Sequence, residues 1–337
     1  MANRAISNRV FRTRRRYHTP QSGAKTFSWV CWRVIMAPLA GKKEKGLRIV
    51  HQETEARERA LAGWNREPVD DGAADYWSRL VIEGEAPSSQ YDRLREQLPA
   101  AADNEEGPEA WVALQGRGFH GQRHRPWQAE AGNLHLSVRV PMDLAAGPDS
   151  LAWTMLPAVA VMQALRALGP QPVAGLGIKW VNDILYRGAK VGGVLSSVVQ
   201  DGDRLRRGHL GIGLNIEVAP RLSSGGNEGP TSCLARWLTP AQRGHGRVLR
   251  TLLGALARNI RLLNEGRGAA ISAAYRADSL LVGRQVRILS DPLTGPAREL
   301  ARGRVLAVNA DLSLTLAEVV DPIRQGRAFL LDEPCPG

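Results

Sequence analysis

Two long segments of the chain repeat their apolar residues with the period of an amphipathic helix. In residues 150–168 the apolar positions 151, 155, 158, 159, 162 and 165 share one helical face. Asp149 or Ser150 can cap the start of this helix, and Gly169 can end it. Residues 248–263 show the same period. The pattern therefore predicts two long helices, each with one buried face.

Shorter apolar runs predict strands. Residues 133–140 alternate polar and apolar side chains, which is the period of a half-buried strand. Runs rich in apolar or β-branched residues predict further strands at 111–114, 177–180, 184–186, 191–199 and 210–218. Arg187-Gly188 lies between two of these runs, so we expect a hairpin turn there.

The pattern changes near residue 280. Beyond it the chain has only short strand runs, at 285–289, 303–308 and 313–316, separated by turn residues. We therefore predict an α/β (α+β) domain over residues 76–280 and a small β-barrel over residues 281–331. Residues 1–48 are predicted to be a disordered basic extension, and residues 49–75 a lead-in segment.

The formal net charge of +12 would suit a nucleic-acid-binding protein. Residues 1–48, however, hold twelve of the 45 Lys and Arg residues and one of the 33 Asp and Glu residues, Glu44. The rest of the chain therefore has 33 basic and 32 acidic residues and is close to neutral. The charge belongs to the N-terminal extension. We expect a solvated tail without a role in the chemistry; the alternatives are an organelle transit peptide, an arm that contacts RNA or a membrane, and translated sequence ahead of the true start.

The three cysteines, Cys31, Cys233 and Cys335, are far apart and lack a histidine at metal-ligand spacing. This favours a reducing compartment. We therefore expect a cytoplasmic protein, or an organellar one if the extension is a transit peptide. The partly apolar residues 27–40 are interrupted by Arg33 and are too short to cross a bilayer, so no membrane segment is predicted.

The first candidate site is the glycine-rich loop 116–121 (GRGFHG), with Gln115 before it and Trp127 after it. Glycines let backbone N–H groups approach a phosphate, arginine neutralises its charge, and an aromatic ring can stack on a base. The spacing also fits the dinucleotide fingerprint GxGxxG, which should open a helix. The residues after the loop include Pro126 and have no helical pattern, so we reject that fold. A basic hairpin loop without a ligand remains the alternative.

The second candidate site is residues 179–183 (KWVND) together with Lys190. A strand that ends in Asn182-Asp183 can place an amide and a carboxylate beside a site, with Lys179 available for a phosphate or carboxylate. Lys190 precedes Gly193, where its ammonium could reach the carboxylate and phosphate of a reacting pair. Each segment alone is also typical of a hairpin with surface charges.

The third candidate site is the strand segment Gly211, Gly213 and Asn215, in which the glycines alternate with apolar residues. Glycine weakens a strand unless something must approach its face. We therefore expect a ligand or another backbone against this strand, with a bulge or tight sheet packing as the alternative.

In this order and spacing, the motifs GRGxxG, KWxND, KxxGxL and GxGxN, with Trp127 ahead of Gly132-Asn133-Leu134, resemble the catalytic domain of biotin protein ligases. These belong to the biotin/lipoate A/B protein ligase superfamily. The likeness covers residues 76–271, and residues 281–331 are similar to the family's SH3-like C-terminal domain. The resemblance implies a mixed sheet with flanking helices, like that of class II tRNA synthetases.

The resemblance also implies the reaction. Biotin would attack ATP to give biotinyl-5′-AMP and pyrophosphate, and a lysine of a biotin carboxyl carrier protein would then attack the adenylate. The implied catalytic residues are Lys190, Arg117, Lys179 and Asp183. The residues implied to bind ATP and biotin are Ser88, Ser89, Gln90, Gln115, Gly116, Gly118, Gly121, Trp127, Asn182, Gly193, Gly211, Gly213 and Asn215. Mg²⁺ would offset the triphosphate charge.

More specific roles follow from the same resemblance. Arg117 and its loop would close over the adenylate, and Trp127 would lie against adenine. Lys190 would hold the carboxylate and phosphate oxygens as charge develops on them. Lys179 and Asp183, with Asn182, would serve the nucleotide, its magnesium ion and the incoming lysine.

The sequence also departs from the family pattern. Pro87-Ser88-Ser89, ahead of Gln90-Tyr91, stands where the family usually has a Ser-Thr-Asn triplet ahead of Gln-Tyr to read the biotin ring, and Phe119-His120 stand where many members have arginine. A lipoate or octanoate ligase of the same superfamily and a degenerate non-catalytic member are therefore the alternatives. Residues 1–75 lack a pair of apolar-striped helices, so no sequence-specific DNA binding is predicted. The oligomeric state, monomer or homodimer, stays open.

Overall fold

The structure is a computed structural model that describes most of the chain from residue 47 onward. The described residues are 47–51, 53–62, 64, 73–96, 107–169, 173–221, 229–291 and 296–331. They all belong to one compact unit, residues 41–337. The predictions for the basic extension and for part of the lead-in segment lie outside the described residues.

An eight-stranded mixed sheet forms the body of this unit. Its strands are β1 (Arg48–His51), β2 (Arg79–Ala86), β3 (Glu109–Gly116), β4 (Leu134–Ala145), β5 (Leu176–Lys179), β6 (Asp183–Tyr186), β7 (Ala189–Asp201) and β8 (Arg204–Leu214). Their spatial order is β1-β2-β3-β4-β8-β7-β6-β5. The first three strands pair in parallel, and every later pairing is antiparallel.

Six α-helices accompany the sheet in the described part of the chain. They are α1 (Thr54–Ala60), α2 (Ala73–Tyr76), α3 (Gln90–Glu96), α4 (Pro148–Leu168), α5 (His245–Asn264) and α6 (Gly268–Ala277). The two faces of the sheet have different neighbours, as β4 shows. Leu134, Leu136 and Val138 of this strand point into the hydrophobic core, where α4 and α5 pack. The intervening residues of β4 face the other side, where α3 packs.

The two long helices that the apolar period predicts are confirmed as α4 and α5. Helix α4, however, is buried on most of its circumference, because α5 and α6 cover the side that turns away from the sheet. Its residues Asp149–Leu168 are apolar and long enough to cross a membrane, but 72% of this stretch is buried inside the protein. A central core helix accounts for that apolar character.

The predicted hairpin is also present, between β6 and β7. Arg187 and Gly188 have φ angles of 50° and 79°, the left-handed values that a tight two-residue hairpin turn requires. The strand predicted at 210–218 instead runs over Arg204–Leu214. The side-chain oxygen of Asn133 accepts the N–H groups of Ile216 and Val218 at 2.9 and 3.1 Å, which removes this segment from the ladder.

The C-terminal part is a four-stranded antiparallel sheet in the region where the sequence predicts a small barrel. Its strands are β9 (Gln285–Leu289), β10 (Glu299–Val308), β11 (Leu314–Leu316) and β12 (Arg327–Leu330), in the order β11-β10-β9-β12. A hydrogen bond joins the two sheets' regions: the indole N–H of Trp180, just after β5, donates to the carbonyl oxygen of Leu312, just before β11, at 2.6 Å. The C-terminal sheet therefore lies close enough to contribute to a site on the large one.

Candidate active site

A cavity of about 620 Å³ opens on the face of the large sheet that turns away from α4 and α5. Its floor consists of two rows of residues across β4, β8 and β7, namely Ser137–Gly211–Leu195 and His135–Gly213–Gly193. The loop after β3 and the C-terminal sheet complete its walls. The cavity is therefore built by residues that are far apart in the sequence.

Lys190 and Asp183 form an ion pair at this cavity. The Nζ of Lys190 lies 2.7 Å from an Oδ of Asp183, and both side chains are partly exposed to the cavity. The pairing of β6 with β7 shifts register between Ile184 and Leu185. The extra residue of this bulge puts Lys190 on the same face as Gly193, three residues later, although strict alternation would separate them.

The environment of Asp183 keeps it ionised. Burial alone would raise the pKa of this carboxyl, but the charge and hydrogen bond of Lys190 outweigh burial and hold the pKa below its usual value. The charges of Lys179 and Arg125 act in the same direction. Asp183 is therefore a carboxylate suited to binding cations and to orienting Lys190, and it is a weak proton acceptor.

Aromatic rings occupy the space above the strand glycines. A Cβ atom added to Gly213 would lie 2.4 Å from the Trp127 ring, and one added to Gly211 would lie 3.2 Å from the Tyr91 ring. The sequence pattern leads us to expect a ligand or another backbone at these positions. The structure instead places two side chains there, and Trp127 in turn lies under the Lys190 ammonium, 5.6 Å from the ring centroid.

The glycine-rich loop presents only part of its sequence to the cavity. Phe119, His120 and Gly121 line it, and Nε2 of His120 lies 2.7 Å from a carboxylate oxygen of Asp92 in α3. Arg117 is 83% exposed, with its Nε 3.3 Å from a carboxylate oxygen of Glu85. Its neighbours Gln115, Gly116 and Gly118 also lie outside the cavity lining, and Gln115 donates to Glu85.

The three predicted ligand-binding residues ahead of and at the start of α3 have different positions. Ser88 is exposed. Ser89 is buried, lines the cavity and accepts the N–H of Asp92, which satisfies one free donor at the start of α3. Gln90 is fully buried and donates to the carboxylate of Glu83 at 2.7 Å, away from the cavity. Of the three residues, Ser89 alone lines the cavity.

Lys179, Asn182 and Asn215 complete the predicted set at the cavity. The Nζ of Lys179 lies 5.1 Å from the centroid of the Phe329 ring. Asn182 donates to the carbonyl of Val194 at 2.8 Å, and Asn215 donates to the carbonyls of Lys190 and Ser232 at 3.3 and 3.0 Å. The two asparagines therefore hold the backbone around Lys190 in place.

The C-terminal sheet adds residues that the sequence does not single out. Arg287, Arg302, Arg327 and Phe329 line the cavity. Arg287 lies directly opposite Arg302 in one strand pair and opposite Phe329 in the other. Like charges directly across a strand pair are destabilising. An anion at the cavity would relieve this repulsion.

The cavity as a whole is positively charged. Seven of its described lining residues are Lys or Arg, namely Arg125, Lys179, Arg187, Lys190, Arg287, Arg302 and Arg327, whereas Asp183 is its one acidic residue. Such a lining attracts an anionic ligand and strengthens its electrostatic contacts where water is scarce.

Comparison with known proteins identifies the family. The sequence profile of the biotin/lipoate A/B protein ligase family matches residues 89–215. The biotin–(acetyl-CoA-carboxylase) ligase of Mycobacterium tuberculosis is 31% identical over 234 residues, which span 66% of this chain and 82% of that protein. The chain belongs to the biotin/lipoate A/B protein ligase family. The predicted family and ligase class are thereby confirmed.

Two further comparisons agree with this assignment. The bifunctional ligase/repressor BirA of Bacillus subtilis is 36% identical over 105 residues, 30% of each chain. The biotin protein ligase from Aquifex aeolicus in complex with biotin and ATP is 20% identical, and its structure superimposes with a TM-score of 0.52 over 73% of this chain and 96% of that one. The structural likeness supports the predicted mixed α/β fold.

In this ligase the structure brings most of the predicted site residues to one cavity. Those that line it are Lys179, Asn182, Asp183, Lys190, Ser89, Gly121, Trp127, Gly193, Gly211, Gly213 and Asn215. Those that do not are Arg117, Ser88, Gln90, Gln115, Gly116 and Gly118. The residues outside the lining lie near the ends of β2 and β3: Ser88 and Gln90 between β2 and the first turn of α3, and the other four at or just after the end of β3.

Proposed function

We propose that this ligase is an ATP-dependent biotin protein ligase, which forms biotinyl-5′-AMP and transfers biotin to a lysine of a biotin carboxyl carrier domain. The observation that carries the proposal is the Lys190 ammonium, held by Asp183 at the wall of a cationic cavity. The named activity of the Mycobacterium tuberculosis relative supports biotin as the acyl substrate.

In the first step, a carboxylate oxygen of biotin attacks the α-phosphorus of ATP. The bond between that phosphorus and the bridging oxygen breaks, and pyrophosphate leaves with the electron pair. Two anions must approach each other, and negative charge builds up on the phosphate oxygens. Lys190 neutralises this charge from a fixed position, because Asp183 and the Trp127 ring already hold its ammonium.

The C-terminal arginines suit the remaining phosphates. Arg287 and Arg302 are adjacent on one face of the sheet, and their planar guanidinium groups can each bind phosphate through two hydrogen bonds. Glu299 partly offsets Arg302 through contacts at 3.0 Å, so Arg287 carries more of the uncompensated charge. We expect this pair to bind the β- and γ-phosphates and the departing pyrophosphate.

The cavity also fits a magnesium ion that arrives on the nucleotide. Among the described residues, no group of three or more His, Cys, Asp or Glu could form a dedicated metal site. Mg²⁺ is commonly bound by one or two carboxylates together with substrate phosphates. Asp183 is the carboxylate available for this purpose, and the ion would offset phosphate charge when bound.

In the second step, a carrier lysine attacks the acyl carbon of the adenylate, the acyl–oxygen bond breaks, and AMP leaves. The carrier lysine approaches as an ammonium, which a cationic cavity repels. It gives one proton to solvent before its amine can attack, and a second proton leaves to solvent as the amide forms. Asp183 is the negative group that can attract it, since the low pKa of its carboxyl keeps it ionised. We propose that Asp183 positions the incoming lysine next to the acyl group.

The test is the exchange of labelled pyrophosphate into ATP, which requires reversible adenylate formation. We expect exchange when biotin is added, and far less with lipoate or octanoate. Exchange with lipoate or octanoate but not with biotin would assign the chain to the other branch of the family. A folded protein without exchange for any of the three acids would contradict catalysis and favour a non-catalytic binding protein.

A further inference from the structure

The glycines beneath the Trp127 ring do not fix the orientation of the ring. The ring lies on Gly213 and Gly193, and the closest atoms to their added Cβ positions belong to Trp127 or to Lys190. Glycines offer a flat surface without side chains that could stop a ring from turning or sliding in its plane. Its orientation therefore depends on contacts at the edge of the ring.

His135 supplies the polar contact at that edge. The indole N–H of Trp127 donates to Nδ1 of His135, with a distance of 3.3 Å between the nitrogens. His135 lies directly opposite Gly213 in the pairing of β4 with β8, so it sits beside the glycine on which the ring rests. The side chain is 2% exposed.

The partners of His135 define its tautomer. Its Nε2 lies 3.2 Å from the carbonyl oxygen of Glu130, which can only accept, so Nε2 carries the hydrogen. Nδ1 is then free to accept from Trp127. This requires a neutral imidazole, and burial lowers the pKa of His135 to about 4, although the Glu130 bond acts in the other direction. At neutral pH the acceptor is therefore always present.

The ring that His135 holds is the one beneath the reacting ammonium. The Nζ of Lys190 lies 5.6 Å from the Trp127 centroid, within the range of a cation–π contact, and 2.7 Å from Asp183. A rotation of the ring would therefore change one of the two contacts that orient the ammonium. A displacement of about 1 Å in a catalytic arrangement can lower the rate by about 10²-fold.

We propose that His135 is a positioning residue for adenylate formation, which acts through Trp127 to hold the Lys190 ammonium in line with the reacting carboxylate and α-phosphate. The proposal rests on the biotin ligase function and adds to it a residue with a defined tautomer. Three successive contacts join the carbonyl of Glu130 to His135, His135 to Trp127, and Trp127 to Lys190. They link the cavity wall to the reacting centre.

His135 also packs, since its ring lies 5.5 Å from that of Phe119. A test must therefore separate packing from hydrogen bonding. Asn and Leu have nearly the same shape, and the Oδ1 of asparagine stands about where Nδ1 of histidine does. His135→Asn therefore keeps an acceptor for Trp127, whereas His135→Leu removes it, and both lose the same ring contact with Phe119.

The experiment measures biotin-dependent pyrophosphate exchange for both variants, in the wild-type and in the Trp127→Phe backgrounds. We expect kcat for His135→Leu to be about tenfold lower than for His135→Asn, the size of one hydrogen bond, with similar KM for biotin. In the Trp127→Phe background, which has no indole donor, we expect the two variants to have equal kcat.

Two outcomes would overturn the proposal. Equal kcat for the Asn and Leu variants with Trp127 present would leave His135 only a packing role. A difference that persists with Trp127→Phe would show that His135 acts by another route. Failure of the proposed function itself is distinguishable, because wild-type protein would then show no biotin-dependent exchange.

Discussion

Replacing Lys190 by methionine separates the contribution of its charge to catalysis from its contribution to the fold. Methionine keeps the length and the apolar stem of the side chain but lacks the ammonium. The Lys190 and Asp183 side chains are 32% and 27% exposed, so solvent screens their ion pair, and such a pair contributes about 0–1 kcal/mol to stability. We therefore expect Lys190→Met to lower the free energy of unfolding by at most about 1 kcal/mol.

The effect on catalysis should be much larger. Removing one fixed charge or donor that meets developing negative charge typically lowers kcat by about 10²–10³-fold, or roughly 3–4 kcal/mol. The measurements are biotin-dependent pyrophosphate exchange and urea unfolding of the same preparation. Arg187→Met is the matched control, because Arg187 is a cavity cation whose guanidinium lies over the Tyr186 ring and for which we propose no role in the reaction. Exchange within threefold of wild type in a folded Lys190→Met protein would refute the role of Lys190.

Three further predictions concern the floor, a buried histidine and the C-terminal sheet. Gly213→Ala puts a Cβ 2.4 Å from the Trp127 ring and should lower kcat for exchange at least tenfold. Gly147→Ala is the control, because its Cβ meets nothing within 4 Å, and it should leave kcat unchanged. Equal effects of the two substitutions would contradict this prediction. Burial, with nearby arginine charges, lowers the pKa of His209 from 6.5 to about 4, so the unfolded chain binds more protons between these values and stability is lost as pH falls. Between pH 7.5 and pH 5, His209 should account for about 2 kcal/mol of the decrease in the free energy of unfolding. His209→Gln should remove this part of the pH dependence measured by urea unfolding. An unchanged pH dependence would be inconsistent with this. Arg287→Met should raise KM for ATP about tenfold or more with little change in KM for biotin, and an unchanged KM for ATP would remove Arg287 from the phosphate site.

The sequence predicts those features that depend on local periodicity or on motifs within strands. The apolar period locates α4 and α5, because a buried helical face imposes its spacing on the residues themselves. Gly211 and Gly213 both line the cavity, since residues two apart in a strand share one face of the sheet.

Other features depend on contacts between distant parts of the chain, which a single sequence does not display. Arg287 and Arg302 reach the cavity because the C-terminal sheet packs beside it, and nothing in their local pattern distinguishes them from surface arginines. The end of β8 is likewise set by the side chain of Asn133, some eighty residues earlier in the chain.

The most direct test of the central claim is the intact mass of a biotin carboxyl carrier domain after incubation with this protein, Mg-ATP and biotin. Parallel reactions omit ATP, replace biotin with lipoate, or use the Lys190→Met variant. The proposed function predicts one added biotinyl group on the carrier with the wild-type protein, and no mass change without ATP or with lipoate in place of biotin. With Lys190→Met, the same mass change should appear about 10²–10³-fold more slowly. A carrier that keeps its original mass with wild-type protein, ATP and biotin would contradict it.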